Sequence, residues 1–175
     1  GAARYENGEL LLEEARTNLL AYSEEIDQSV YLKELQGTGS NPVVTPNAAV
    51  APDGQMTADR IQFSINGGTS ISDVSQIRRT VLTTAGFHTF SFYVRSFDGT
   101  SSYEMTFRDA NGLSNSLTVT GQWKRITKAS PNYSAGVTSL GIALRGGSFL
   151  DSDSADILFW GVQLEAAPYA SSYIP

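Results

Sequence analysis

The chain has 175 residues, with 12 Lys and Arg against 18 Asp and Glu for a net charge of −6, one histidine and no cysteine. A negative balance without a basic run opposes contact with a phosphate backbone and excludes nucleic acid as a partner. The missing cysteine removes disulfides, thiolate metal sites and thiol nucleophiles, and the length suits one domain that buries its own core.

No apolar stretch approaches the roughly 20 residues that span a bilayer, and the start lacks the basic-then-apolar order of a secretory signal. The expectation is a soluble protein without membrane insertion, compatible with completion in a bacterial cytoplasm.

In chain order, residues 1–20 read as a lead-in arm and first strand, carrying the run Leu10-Leu11-Leu12. Residues 21–175 read as the body of a single domain. Glu24 to Leu35 has room for a helical turn or two, and Gly37 to Pro46 has loop composition. Past about residue 57, short alternating segments rich in β-branched and aromatic residues are separated by Gly, Asn, Asp and Ser clusters, the pattern of an all-β sandwich. In Phe87–Arg95 a period of two puts His88, Phe90, Phe92 and Val94 on the core face and Thr89, Ser91, Tyr93 and Arg95 on the other. Tyr103–Asp109 repeats the logic, with Tyr103, Met105 and Phe107 inward and Glu104, Thr106 and Arg108 outward; Asn111-Gly112 then turns the chain. Ser116–Thr120 and Trp123–Thr127 read as strands about a Gly121-Gln122 turn. Leu140, Ile142 and Leu144 alternate with small residues before Arg145. Asp156–Leu164 is apolar on both faces for part of its length, which marks a central or covered strand, with Gly161 at a bulge or close approach.

Catalytic chemistry finds little support. A serine triad needs a histidine base, and the single His88 falls on the core face. Acidic residues are numerous enough for a glycosidase pair, but no spacing brings two together, and the chain reads as no enzyme. Gly67-Gly68 and Gly146-Gly147 lack the Lys-Ser/Thr of a phosphate-binding loop and read as turns. Asp151, Asp153 and Asp156 supply three carboxylates at close spacing, suited to a hard cation. No cofactor is expected beyond a structural calcium there, set against a plain polar loop.

Two strings bracket the chain: Glu13-Glu14-Ala15-Arg16-Thr17-Asn18-Leu19-Leu20 near the start, and Trp160-Gly161-Val162-Gln163-Leu164-Glu165 through Ser172-Tyr173-Ile174-Pro175 at the end. With Ala51-Pro52-Asp53-Gly54-Gln55-Met56-Thr57-Ala58-Asp59-Arg60 between them, the chain resembles a domain of phage tail fibres and other virion appendages, similar to carbohydrate-binding jelly rolls. The resemblance implies a jelly-roll β-sandwich of two antiparallel sheets. It also implies an extended Tyr31-Leu32-Lys33, and Arg16-Thr17-Asn18 lying beside the terminal strand. Arg16, Asn18, Trp160, Gln163 and Tyr173 take architectural roles in that picture.

The resemblance further implies a non-catalytic virion module, assembled in the host cytoplasm, that adheres to host-surface polysaccharide. A homotrimer or other array would strengthen weak single contacts. Sugar binding calls for an aromatic platform beside planar donors on a solvent face, which singles out Tyr93, Arg95, Glu104, Arg108 and Arg145 as one patch if their strands are neighbours. The loop aromatics Phe97, Tyr133 and Phe149 are rivals. The alternative is a structural or decoration protein of capsid, tail fibre or baseplate. Its contacts with other virion proteins would use Ile157, Phe159 or the Leu10–Leu12 arm.

Overall fold

A computed structural model describes residues 4–6, 9–11, 15–109 and 112–175. Asn111 of the expected turn, Leu12 of the leucine run and the Glu13-Glu14 pair lie outside the described residues. The strands are β1 (Arg4–Glu6), β2 (Glu9–Leu11), β3 (Tyr31–Gln36), β4 (Val43–Ala49), β5 (Ala58–Ser64) and β6 (Val74–Thr83). They continue as β7 (Gly86–Ser96), β8 (Tyr103–Asp109), β9 (Gly112–Val119), β10 (Lys124–Tyr133), β11 (Gly136–Arg145) and β12 (Ser154–Glu165). The only helical turn among the described residues is a 3₁₀ turn at Gly147–Phe149.

β1 and β2 pair with each other alone, while the remaining ten strands form two five-stranded antiparallel sheets, ordered β10-β7-β12-β5-β4 and β3-β6-β11-β8-β9. This is the expected jelly-roll sandwich. Strands consecutive in sequence fall in opposite sheets at β5/β6 and at β7/β8, so the chain repeatedly crosses the core. Alternation then does what a period of two must: Phe90, Phe92 and Val94 from one sheet meet Met105, Phe107, Leu140, Ile142 and Leu144 from the other, all buried. Phe92 is the hub, with ring centroids 5.3 Å from Phe90, 5.8 Å from Phe107 and 5.0 Å from Phe159. His88 is buried with them, stacked on Tyr133 at 4.7 Å.

β12 is the central strand its apolar run foretold, flanked by β7 and β5. Gly161, at φ +64°, sits where the β12–β7 register slips between Trp160 and Gln163. Two expectations fail here. Ile157 and Phe159 are core residues, not outward ones, because a run apolar on both faces does not reveal which face is which. The loop expected at Gly37–Pro46 becomes strand from Val43 onward. Pro46 is tolerated there because β4 is an edge strand, and its pairing with β5 is interrupted between Thr45 and Ala49, where Asn47 takes a left-handed conformation.

The first bracket segment is not a strand but stands in for one. β5 pairs with β12 only as far as Phe159. Beyond that point the Leu19 amide donates to the Leu164 carbonyl and the Val162 amide to the Ser23 carbonyl, at 2.8 and 2.9 Å. Asn18 completes the replacement: its Nδ2 donates to the Val162 carbonyl at 3.1 Å, and its Oδ1 accepts from the Leu20 and Leu164 amides, both at 3.1 Å. Asn18→Ala would strand these backbone groups away from water and should lower unfolding free energy by about 1–3 kcal/mol in urea titration, whereas a surface asparagine would cost almost nothing.

Candidate functional site

The outer face of the β3-β6-β11-β8-β9 sheet carries a groove of about 620 Å³. It arises from what each strand points outward. β11 contributes only small residues at its centre, Ser139, Gly141 and Ala143, and of these Ser139 lines the groove. Gly141 is required: a Cβ there would come within 2.1 Å of the Ile77 carbonyl oxygen. Register places Gly141 opposite Arg78 of β6 on one side and Arg108 of β8 on the other, and two guanidinium side chains therefore flank a glycine. Glu34 of β3 lies opposite Gln76, one step along the sheet.

Glu34 organises one wall. It accepts both arms of Arg78, at 2.6 and 2.7 Å, and the Gln76 amide at 2.9 Å. The Arg78 hydrogen bonds hold the Glu34 carboxyl below the usual carboxylate range. Arg108 has no such carboxylate. Burial and the charges of Arg78 and Arg145 push its pKa down from the ordinary guanidinium value, against the pull of Glu34.

Of the five residues expected to form one patch, Arg108 alone lines this groove. Glu104 is exposed on the same strand and accepts the Thr118 hydroxyl at 3.0 Å. Arg145 does not line the groove: it donates to the Ile71 carbonyl at 2.7 Å and the Leu113 carbonyl at 3.4 Å, with its guanidinium over Phe149. Thr106, between Glu104 and Arg108, is buried and bonds Asp151 at 3.0 Å.

Tyr93 and Arg95 belong to the other sheet and face the opposite side of the molecule, so the five cannot be one patch. Their face is also occupied. Tyr93 packs edge-on against Trp160 at 5.4 Å, and Arg95 sits 5.4 Å from the Trp123 ring. The carboxy-terminal segment lies over the same sheet: Thr89 donates to the Ala167 carbonyl at 2.7 Å, and Arg125 donates to the Ser171 carbonyl at 2.6 Å. Of the rival loop aromatics, Tyr133 is buried, and Phe97 and Phe149 are capped by Arg60 and Arg145.

The three aspartates diverge, which corrects the cation site expected of them. Asp151 accepts the Thr106 hydroxyl and, at 2.8 Å, the Arg145 amide. Burial pushes its carboxyl up to about 6, against those hydrogen bonds. Asp153 accepts the Gly67 amide, and Asp156 forms a two-armed ion pair with Arg60 at 2.8 and 2.6 Å. Among the described residues no group of three or more His, Cys, Asp or Glu side chains is placed to share a metal.

The residues that the sequence reading missed are Glu34, Gln76, Arg78 and Ser139. A usable signal was present: Gln76 and Arg78 alternate with Ser75, Ile77 and Arg79 in one strand.

No protein-family model and no curated protein matches the chain. Solved structures resemble it in fold. The CBM22-1 xylan-binding domain of Paenibacillus barcinonensis Xyn10C superposes with a TM-score of 0.54 at 18% identity, over 91% of this chain and 99% of that one. The family 11 carbohydrate-binding module of Clostridium thermocellum, in complex with a β-1,3-1,4-mixed-linked tetrasaccharide, gives 0.54 at 11% identity, over 89% and 98%. The enzymatically active domain of bacteriophage CBA120 tailspike protein 4 gives 0.50 at 13% identity, over 84% of this chain and 21% of that one. At these identities the likeness is one of fold: a carbohydrate-binding-module jelly roll.

Proposed function

We propose that this domain is a glycan-binding module without catalytic activity, carried on a phage virion, and that its groove receives host-surface polysaccharide. The observation that carries the reading is the groove itself, a concave surface lined by polar and charged side chains, on a fold shared with proteins named as carbohydrate-binding modules. A sugar chain needs fixed donors and acceptors for its hydroxyls, and the Glu34–Arg78 pair and Arg108 supply these on rigid strands. Several copies in one appendage would raise the effective concentration of weak sites.

The test sets the two faces against each other on an immobilised glycan panel. Ser139→Trp fills the groove and should abolish binding. Thr127→Trp, exposed on the opposite sheet, should leave binding and thermal stability unchanged. Loss through Thr127→Trp but not Ser139→Trp would move the site to the Tyr93 face and refute the groove.

A virion structural role is the second reading, and one observation favours it. Leu82 and Val137 lie directly opposite each other across β6 and β11 and are 76% and 73% exposed, an apolar pair suited to a protein contact. A particle map with both residues buried between subunits would decide for it.

A further inference from the structure

Three polar atoms around the groove floor are buried and have no hydrogen-bond partner among the described residues: Arg108 Nε, Gln76 Oε1 and Ser139 Oγ. Gln76 is 4% exposed, and its amide nitrogen is already committed to Glu34, so its oxygen is a buried acceptor without a donor. Buried polar groups are ordinarily paired, and the lining therefore keeps unspent hydrogen-bonding capacity just beneath its surface.

The charges say which ligand. Arg78 is neutralised by Glu34 at 2.6 Å. Arg108 is its counterpart across Gly141, two strand spacings or about 10 Å away along the same cross-strand row, and it faces no carboxylate of its own. A second hollow of about 210 Å³ is also lined by Arg108 and Ser139. A half-buried guanidinium without a carboxylate partner among the described residues gains from a bound anion.

We infer that the groove selects acidic polysaccharide, with the carboxylate of a uronic acid residue seated on the Arg108 guanidinium. This rests on the glycan-binding reading and adds the substrate class. A planar carboxylate matches the guanidinium fork, whereas a neutral sugar would leave the Arg108 charge without a counter-ion.

Affinity electrophoresis of the full chain in gels containing alginate, carboxyl-reduced alginate, dextran sulfate or a neutral β-glucan tests it. Alginate should bind best, and reducing its carboxyls should weaken binding about 10- to 100-fold, the loss of one charge-assisted contact. Arg108→Ala should lose the same factor on alginate alone, with unfolding temperature retained; Arg108→Lys, which keeps charge without the fork, should recover only part. Equal retention by alginate and its reduced form overturns the inference, as does equal retention by dextran sulfate, which reads as general anion capture. Binding to neutral glucan alone, abolished by Ser139→Trp, overturns the inference and leaves the glycan-binding reading standing. Wild-type chain retarded by none of the four removes both.

Discussion

Trp160→Ala should lower the unfolding free energy by about 3–5 kcal/mol, the range for emptying a large aromatic site, and should release the carboxy-terminal segment to proteases. Trp160 is 2% exposed although it points away from the main core, because a second, smaller core is built around it. Tyr173 packs on its ring at 4.2 Å and Tyr93 meets it edge-on, while Ala51 and Ala58 press from the 51–60 segment. Its Nε1 donates to the Thr57 hydroxyl at 2.9 Å.

The terminal bracket string and the 51–60 motif therefore meet at one indole. Tyr173 is tied in turn to Ser23 at 2.9 Å and donates to Glu24 at 2.7 Å. Glu165 pins the rest of the segment by accepting the Ser171 amide and hydroxyl, at 3.0 and 2.7 Å. Trp160→Phe should keep the stacking and lose the Thr57 bond, costing about 1 kcal/mol for the hydrogen bond. Urea titration with limited proteolysis reads both effects. Glycan binding, assigned to the opposite face, should survive Trp160→Ala below its unfolding transition. A loss under about 1 kcal/mol would show that the second core contributes little.

This covering of one sheet explains what the sequence revealed and what it hid. Phe90, Phe92, Met105 and Phe107 announced themselves because a strand buried on one face must alternate, and the alternation is read directly from neighbours in the chain. The same rule put Tyr93, Arg95, Glu104 and Arg108 outward, and that is where they point. Alternation reports a side of a strand, however, and not the sheet to which the strand belongs. Tyr103–Asp109 follows Gly86–Ser96 in sequence but sits across the core from it, so the patch split between two faces. Nor does alternation reveal what covers an outer face: the segment after Glu165 that shields Thr89 and Ser91 has no periodicity to read. Arg16 shows the limit at a single residue. Its architectural role is played by stacking on Tyr169, at 4.7 Å, a contact that no spacing in the chain announces. The groove was least legible because it depends on smallness at Ser139, Gly141 and Ala143, and small residues between large ones look like ordinary alternation until the flanking strands are known.

Acidification from pH 7.5 to 5 should stabilise the fold, and Asp59→Ala should remove much of that gain while costing about 2–5 kcal/mol for two amides deprived of their acceptor. Asp59, the last residue of the Thr57-Ala58-Asp59 stretch, is 1% exposed and accepts the Ile26 amide at 2.7 Å and the Asn47 amide at 2.8 Å. It joins the segment before β3 to the irregular turn of β4. Burial pushes its carboxyl up to about 6 against the pull of those amides, with the charge of Asp27 adding to the rise. A carboxyl whose folded pKa lies above its unfolded value of 3.8 binds its proton more tightly in the native state, so its ionisation opposes folding. The penalty is present above pH 6, shrinks as pH falls through 6, and is gone below about 4. At pH 7.5 it is on the order of 2–3 kcal/mol. Asp151, also raised to about 6, adds in the same direction. The depressed carboxyls work oppositely, since Glu34 and Asp73 lose stabilising ionisation on protonation, but they stay charged down to pH 5 and leave the window clear. Unfolding temperature measured every half unit from pH 5 to 7.5 should climb toward acid in the wild type. Subtracting the Asp59→Ala profile isolates this one group, and a difference that does not change with pH would mean that the buried carboxylate is ionised without penalty.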